Sequence, residues 1–170
     1  MLLLIRFLLT ILRSPFRSKI GPLNESVVRF TVLPTDCDLN FHLNGGRFLS
    51  FMDVARVELL SRARVLRKVL RRGWRPVMAG CVIRFRRSVL PFERFNVRTR
   101  LLGWDARWFY MEQVVEKDGR LCAMAHVRLA IRGKEGTVPP AEVLALLDPN
   151  LTSPELPPFV AQWRDAEDAR

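Results

Sequence analysis

A chain of 170 residues, 49% apolar and 26% charged, has the balance of one globular domain large enough to bury a core. Its net charge of +11 attracts anions: nucleic acid, an anionic membrane surface, a phosphorylated ligand or an acidic carrier protein. Three scattered cysteines, Cys37, Cys81 and Cys122, with no C-x-x-C, argue against a disulfide framework or a zinc site and indicate a reducing compartment.

Residues 2–12, Leu-Leu-Leu-Ile-Arg-Phe-Leu-Leu-Thr-Ile-Leu, are too short and too charged to span a bilayer, which needs about 20 apolar residues. No small-residue cleavage site follows, which argues against a signal peptide. Arg6, Thr10, Arg13 and Arg17 recur at i, i+4, i+7 and i+11, a basic stripe on an otherwise apolar cylinder. That pattern predicts an in-plane helix on anionic lipid; the alternative is a helix packed on a neighbouring subunit. Ser14-Pro15 is expected to end the helix, and Gly21-Pro22 to lead into the domain. Residues 1–22 thus read as a helix and linker, 23–136 as the main domain, and 137–170 as a proline-rich extension with short helices.

Ser26–Leu33 reads as a strand. Asp36-Cys37-Asp38-Leu39-Asn40-Phe41-His42-Leu43-Asn44-Gly45-Gly46 follows, and then a helix over Gly45–Arg62. In an extended segment the alternation of Asp38, Asn40, His42 and Asn44 with Leu39, Phe41 and Leu43 would collect the polar groups on one side. Asn44 is the expected N-cap. A helix start offers free N–H groups and the positive end of a dipole, so a carbonyl oxygen held there is polarised as in an oxyanion hole. Asp38 could attack that carbonyl or activate a water, with His42 moving protons. The rival reading is simple turn and cap chemistry, in which Asp and Asn bond their own backbone. A calcium loop is excluded, because its sixth and twelfth positions from Asp36 are Phe41 and Arg47, not Gly and Glu. Cys37 reads as a spacer pointing away from Asp38.

Phe48, Phe51, Met52, Ala55 and Leu59 form the core face of the long helix. Arg62–Arg72 predicts a short basic amphipathic helix with a solvated face, or one that meets lipid headgroups. Four strand-like runs follow: Val77–Val89, Phe95–Leu102, Trp108–Glu116 and Arg120–Arg132, with Asp118-Gly119 as a strong hairpin signal. Arg84 and Arg86 are expected to share one face. After Gly133–Gly136 the chain is expected to leave the sheet, with short helices over Ala141–Leu147 and Phe159–Asp168. Strand, long helix, then four antiparallel strands indicate an α+β fold with one helix packed on a curled sheet of about five to six strands.

The pattern D-x-D-x-x-x-H-x-N over Asp36–Asn44, with Phe48 and Asp53–Arg56, resembles hotdog-fold thioesterases of the 4-hydroxybenzoyl-CoA thioesterase type. The tighter D-x-N-x-H-x-N is similar to plant acyl-acyl-carrier-protein thioesterases. Pro91-Phe92-Glu93, Val97–Asp105 and Pro154–Pro157 bring the whole chain closest to the thioesterase superfamily member 6 family. The resemblance implies a hotdog fold and an acyl-thioester hydrolase for acyl-coenzyme A or acyl carrier protein. It implies Asp38 as nucleophile or base, Asn40 and His42 as its partners, and the Gly45 N–H as oxyanion donor. Asn44, Gly46, Phe48, Arg84 and Arg86 are expected around the substrate, with no metal and no cofactor beyond coenzyme A as part of the substrate. Another hotdog branch places the carboxylate seven residues after the second glycine, which makes Asp53 the alternative. A homodimer or dimer of dimers is expected, in the cytoplasm and in peripheral contact with the inner face of a membrane. A non-catalytic acyl-binding or membrane-associated module is the alternative function. Nucleic-acid binding ranks last, because basic and aromatic residues do not interleave on one sheet face.

Overall fold

A computed structural model describes residues 2–13 and 16–169. Its sheet contains β1 (Ser26–Thr31), β2 (Arg75–Phe85), β3 (Arg94–Trp104), β4 (Phe109–Lys117), β5 (Arg120–Gly133) and β6 (Gly136–Val138). All pairings are antiparallel, in the order β1-β3-β4-β5-β2, with β6 on β5. The β4–β5 hairpin closes through Asp118 and Gly119 at φ 50° and 71°, the left-handed pair that a tight two-residue turn needs. The chain does not leave the sheet at Gly133, as expected from sequence. Gly133 pairs with Gly136 in a second hairpin, and a three-residue strand is too short to show alternation.

Against this sheet lies α2 (Gly45–Arg62), the long helix of a hotdog fold. Phe48, Phe51, Met52, Ala55 and Leu59 are buried on it and form one core with Val97, Met111, Val115, Ala125 and Val127 of the strands. The Phe51 ring stands edge-on to Phe95, 5.0 Å between centroids and 89° between planes, and truncating such a ring costs about 3–5 kcal/mol. Two polar groups cross this core and satisfy each other. Gln113 accepts from Arg56 and donates to Met52 O and Thr99 Oγ1, each at 2.9 Å. Burial pulls the Arg56 guanidinium down to about 10.

The basic run after α2 is not one helix with it. Arg64 sits at φ 60°, which breaks the axis and lets α3 (Val65–Arg71) turn Val65 and Val69 into the core. The basic residues of α3 stay at its surface, apart from Lys68, which donates to Leu146 O. The extension holds α4 (Pro140–Ala145) and α5 (Pro158–Asp168). α4 packs Val143 and Leu144 into the main core, and the chain beyond it crosses the sheet face opposite α2, where Tyr110 alternates with the core residues Phe109 and Met111. There Leu102, Tyr110 and Val160 form a second buried cluster, and Arg128 stacks between Trp108 and Trp163 at 4.6 and 5.9 Å. Gly103 lets this strap pass: a Cβ there would stand 2.9 Å from Pro154 O.

The N-terminal helix α1 (Leu2–Arg13) packs on α2, with its polar stripe inward. Arg6 and Thr10 are half-buried, whereas Ile5, Leu8, Leu9, Ile11 and Leu12 are exposed. Of the stripe, Arg6 and Thr10 are thus taken up by the domain, Arg13 stays exposed, and Arg17 lies beyond the helix. Arg6 pairs with Asp36, and Arg17 in the linker pairs with Glu58 of α2, because two carboxylates buried in the domain require cations. The expected helix end at Ser14-Pro15 lies outside the described residues.

Candidate active site

The segment before α2 is not extended. The Phe41 N–H donates to Asp38 O at 3.1 Å, Phe41 adopts φ 57°, and Asn40 N–H donates to Asp38 Oδ1 at 2.9 Å. An Asp two residues before an Asn builds this turn from its own side chain, and that local bond wins over strand geometry. Leu39, Phe41 and Leu43, expected to share the side away from the polar groups, do not: Leu39 and Phe41 stand 96% and 76% exposed at the tip, and only Leu43 is buried. The two legs of the loop are held by the Cys37–Leu43 bridge and by Asp38 N–H on His42 O at 3.0 Å.

The turn nonetheless brings the chemistry together. His42 Nδ1 lies 3.7 Å from Asp38 Oδ1, both side chains partly open to solvent. Asn44 caps α2, its Oδ1 accepting from Gly46 N–H at 2.9 Å. A Cβ on Gly46 would press on that same oxygen at 3.2 Å. The Gly45 N–H has no partner among the described residues, one of the orphan donors of a helix start. Substituting Asn44→Ala removes the cap and is expected to cost about 1 kcal/mol, a fall of about 2–4 °C in Tm, while Asn44→Ser keeps most of it; thermal melts of the two variants check this.

An open cleft of about 390 Å³ begins at Gly45 and runs between His42 and Phe48 on one side and Phe85, Arg86, Arg87 and Ser88 on the other. The Phe48 and Phe85 rings meet edge to face at 5.3 Å. Arg86 is there as expected, but Arg84 is not: one residue before Phe85 on β2, it faces the other side of the sheet. Alternation fails just past β2 because the N–H groups of Arg86 and Arg87 both donate to Cys122 O, at 2.7 and 3.1 Å. That doubling turns Arg86 to the same side as Phe85 and adds Arg87 and Ser88, which sequence reading missed. Asn40 offers its backbone to Asp38 and leaves its side chain exposed at the tip.

Asp53 lies outside the cleft. Two turns along α2, it pairs with Arg56 and is 47% exposed, so its charge is already matched. Cys37 donates to Leu33 O at 3.6 Å. Burial first, then Asp36 and Asp38 beside it, push its thiol up, the opposite of what a nucleophilic thiolate requires. His126, on β5, pairs with Glu112 at 3.4 Å and packs on Phe159, and it does not line the cleft.

Residues 32–164 match the Thioesterase-like superfamily. The protein THEM6 of Xenopus laevis is 39% identical over 134 residues, which is 78% of this chain and 63% of that relative, so the match spans under two-thirds of the relative's length. A hypothetical protein of Thermus thermophilus, TT1821, has a TM-score of 0.65 at 26% identity, over 73% of this chain and 98% of its own. A thioesterase from the same species, solved with coenzyme A and Zn, gives 0.59 at 25% identity, over 71% of this chain and 88% of its own. The match over residues 32–164 covers most of the chain, and on it the chain belongs to the Thioesterase-like superfamily.

Proposed function

We propose that this protein hydrolyses acyl thioesters carried on coenzyme A or on an acyl carrier protein. The observation that carries the reading is the Gly45 N–H at the start of α2, without a partner among the described residues and opening into a cleft lined by His42, with Asp38 3.7 Å from that imidazole just outside the lining. In this reading the thioester carbonyl oxygen accepts that N–H and gains polarisation from the helix dipole. Asp38 either attacks the carbonyl carbon, releasing the thiolate and leaving an acyl-aspartyl anhydride for water to open, or takes a proton from water as water attacks. In the second route His42 passes that proton to the departing sulfur; in the first, the proton freed when water opens the anhydride goes through His42 to the thiolate. Arg86 and Arg87 at the rim suit the phosphates of coenzyme A or of a phosphopantetheine arm.

A second copy of the chain fits the edge of β2, whose outer backbone groups are unpaired among the described residues and whose Val77, Met78, Val82 and Phe85 are exposed. Phe85 belongs to both that edge and the cleft, so in a homodimer the site would lie at the interface.

Release of free thiol from a panel of acyl-coenzyme A lengths tests the enzyme reading. Turnover of at least one length is expected. Binding without turnover would replace it with an acyl-binding module. Within the panel, Arg86→Ala and Arg87→Ala are expected to raise KM about 3- to 10-fold each, the worth of an exposed charge-assisted contact, with Arg84→Ala within about 2-fold of wild type.

The outward apolar face of α1 favours peripheral membrane contact as well. No described helix is long and apolar enough to cross a membrane. In this reading Ile5, Leu8, Leu9 and Leu12 enter the interface, and Arg6 and Arg17 stay on the domain. Sedimentation with anionic liposomes should fall several-fold in Leu8→Asp/Leu12→Asp, and equal binding by both chains would remove the reading.

A further inference from the structure

Asp36 opens the motif, takes no part in the chemistry above, and is the most buried of its polar members at 1% exposure. Its carboxylate accepts from Arg6 Nη1 at 3.0 Å, from Arg6 Nη2 at 2.9 Å and from the Leu33 N–H at 3.0 Å. Its backbone carbonyl accepts the Asn44 N–H at 3.0 Å. Asn44 in turn caps α2 and sets where Gly45 points its N–H. Asp38, His42 and the start of α2 therefore hang on a loop whose two ends are joined at Asp36. The cation that fixes Asp36 comes from another element. Arg6 of α1 also stacks on the buried Phe51 ring at 4.5 Å and reaches Thr31 O at 3.4 Å, so its guanidinium is held between the core and the loop.

We propose that Arg6 and Asp36 are positioning residues: α1 seats its guanidinium on Asp36 and so holds the Asp38–Gly45 loop and the start of α2 in the geometry that thioester cleavage uses. The consequence for rate rests on the hydrolase reading; the mechanical link from α1 to the loop does not. A bidentate pair on a carboxylate with all its bonds made has one geometry, whereas the same carboxylate without its cation is a buried, half-satisfied charge that the loop can relieve only by moving. The molecule carries its own control. Arg17 also pairs with a buried carboxylate, Glu58, through a single contact at 2.6 Å, but Glu58 sits 13 residues along α2 from Gly45, about 20 Å away at the helical rise.

The test uses the full chain and the variants Arg6→Ala, Arg6→Lys, Asp36→Asn, Arg17→Ala and Glu58→Gln. The first readout is amide hydrogen exchange over residues 36–46 without substrate. The second is kcat and KM with the acyl-coenzyme A that wild type turns over fastest. Arg6→Ala is expected to speed exchange in the loop about 10-fold or more and to lower kcat about 10-fold or more, with KM within about 2-fold, because a misplacement of about 1 Å is felt in the transition state. Asp36→Asn should do the same, and Arg6→Lys, which keeps charge but not the fork, should fall between. Arg17→Ala and Glu58→Gln should lower Tm yet leave loop exchange and kcat within about 2-fold. Equal loop exchange in Arg6→Ala and Arg17→Ala, or no change in either, overturns the proposal. If Arg6→Ala fails to fold, Arg6→Lys against Arg17→Ala decides the same comparison. If wild type cleaves no thioester, the hydrolase reading fails by that result alone, and loop exchange still decides whether α1 holds the loop.

Discussion

Asp38→Asn is expected to fold as wild type does and to lose thioester hydrolysis by about 100-fold or more, the scale of removing a catalytic acid–base or nucleophilic group. Asparagine suits the test because the Asp38 side chain has two jobs that separate cleanly. Its Oδ1 accepts the Asn40 N–H and closes the turn, which an amide oxygen also does. Its charge, 3.7 Å from His42 Nδ1, is what the amide lacks. A Tm within about 2 °C of wild type would show that the turn survives, so lost turnover would belong to the chemistry. Asp53→Asn is the matched control. It breaks the pair with Arg56, which burial already pulls down to about 10, so it should act on stability more than on rate. Near-normal turnover in Asp38→Asn with loss in Asp53→Asn would move the catalytic carboxylate onto α2. Normal turnover in both would leave the site without its carboxylate and sink the mechanism.

The parts of this molecule legible in its sequence are those governed by local rules. Asn44 before Gly45-Gly46 announces a cap, and a helix starts there with that bond made. Phe48, Phe51, Met52, Ala55 and Leu59 recur at helical spacing and are the core face. Asp118-Gly119 between apolar runs announces a hairpin, and both residues take the required φ. The failures share a different cause, a competing bond made outside the pattern. Alternation from Asp38 to Asn44 looks extended until the Asp38 side chain captures the Asn40 N–H. Arg84 and Arg86 look equivalent until two successive N–H groups choose Cys122 O and reverse the facing of all that follows. Arg6 of α1 and Arg17 of the linker look like one solvated stripe because their acceptors, Asp36 and Glu58, lie 30 and 41 residues away, and no window of sequence contains both halves of those pairs. Glu58 in particular carries no local sign of its burial, and it is 1% exposed.

That arrangement makes α1 part of the domain and not an appendage, and its removal should have a large effect. A chain beginning at Gly21 lacks both Arg6 and Arg17, leaving two buried carboxylates without cations and the Phe51 ring without its cover. Breaking one buried pair by deleting a partner costs about 3–5 kcal/mol; both cations here keep some contact with water, so a combined loss of about 3–5 kcal/mol is the expectation. For a domain of this size that is a fall of about 10 °C in Tm or more. The cause can be separated from simple loss of contact area. In the shortened chain, Asp36→Asn and Glu58→Gln remove the unpaired charges and should restore a good part of the lost stability. In the full chain the same substitutions strand Arg6 and Arg17 and should destabilise. A sign reversal of this kind is the signature of charge pairing. If the two amides destabilise the shortened chain as they do the full one, the carboxylates are held by the domain itself, and α1 contributes only its packing. If the shortened chain melts with wild type, the clamps carry nothing and α1 is free to leave the domain.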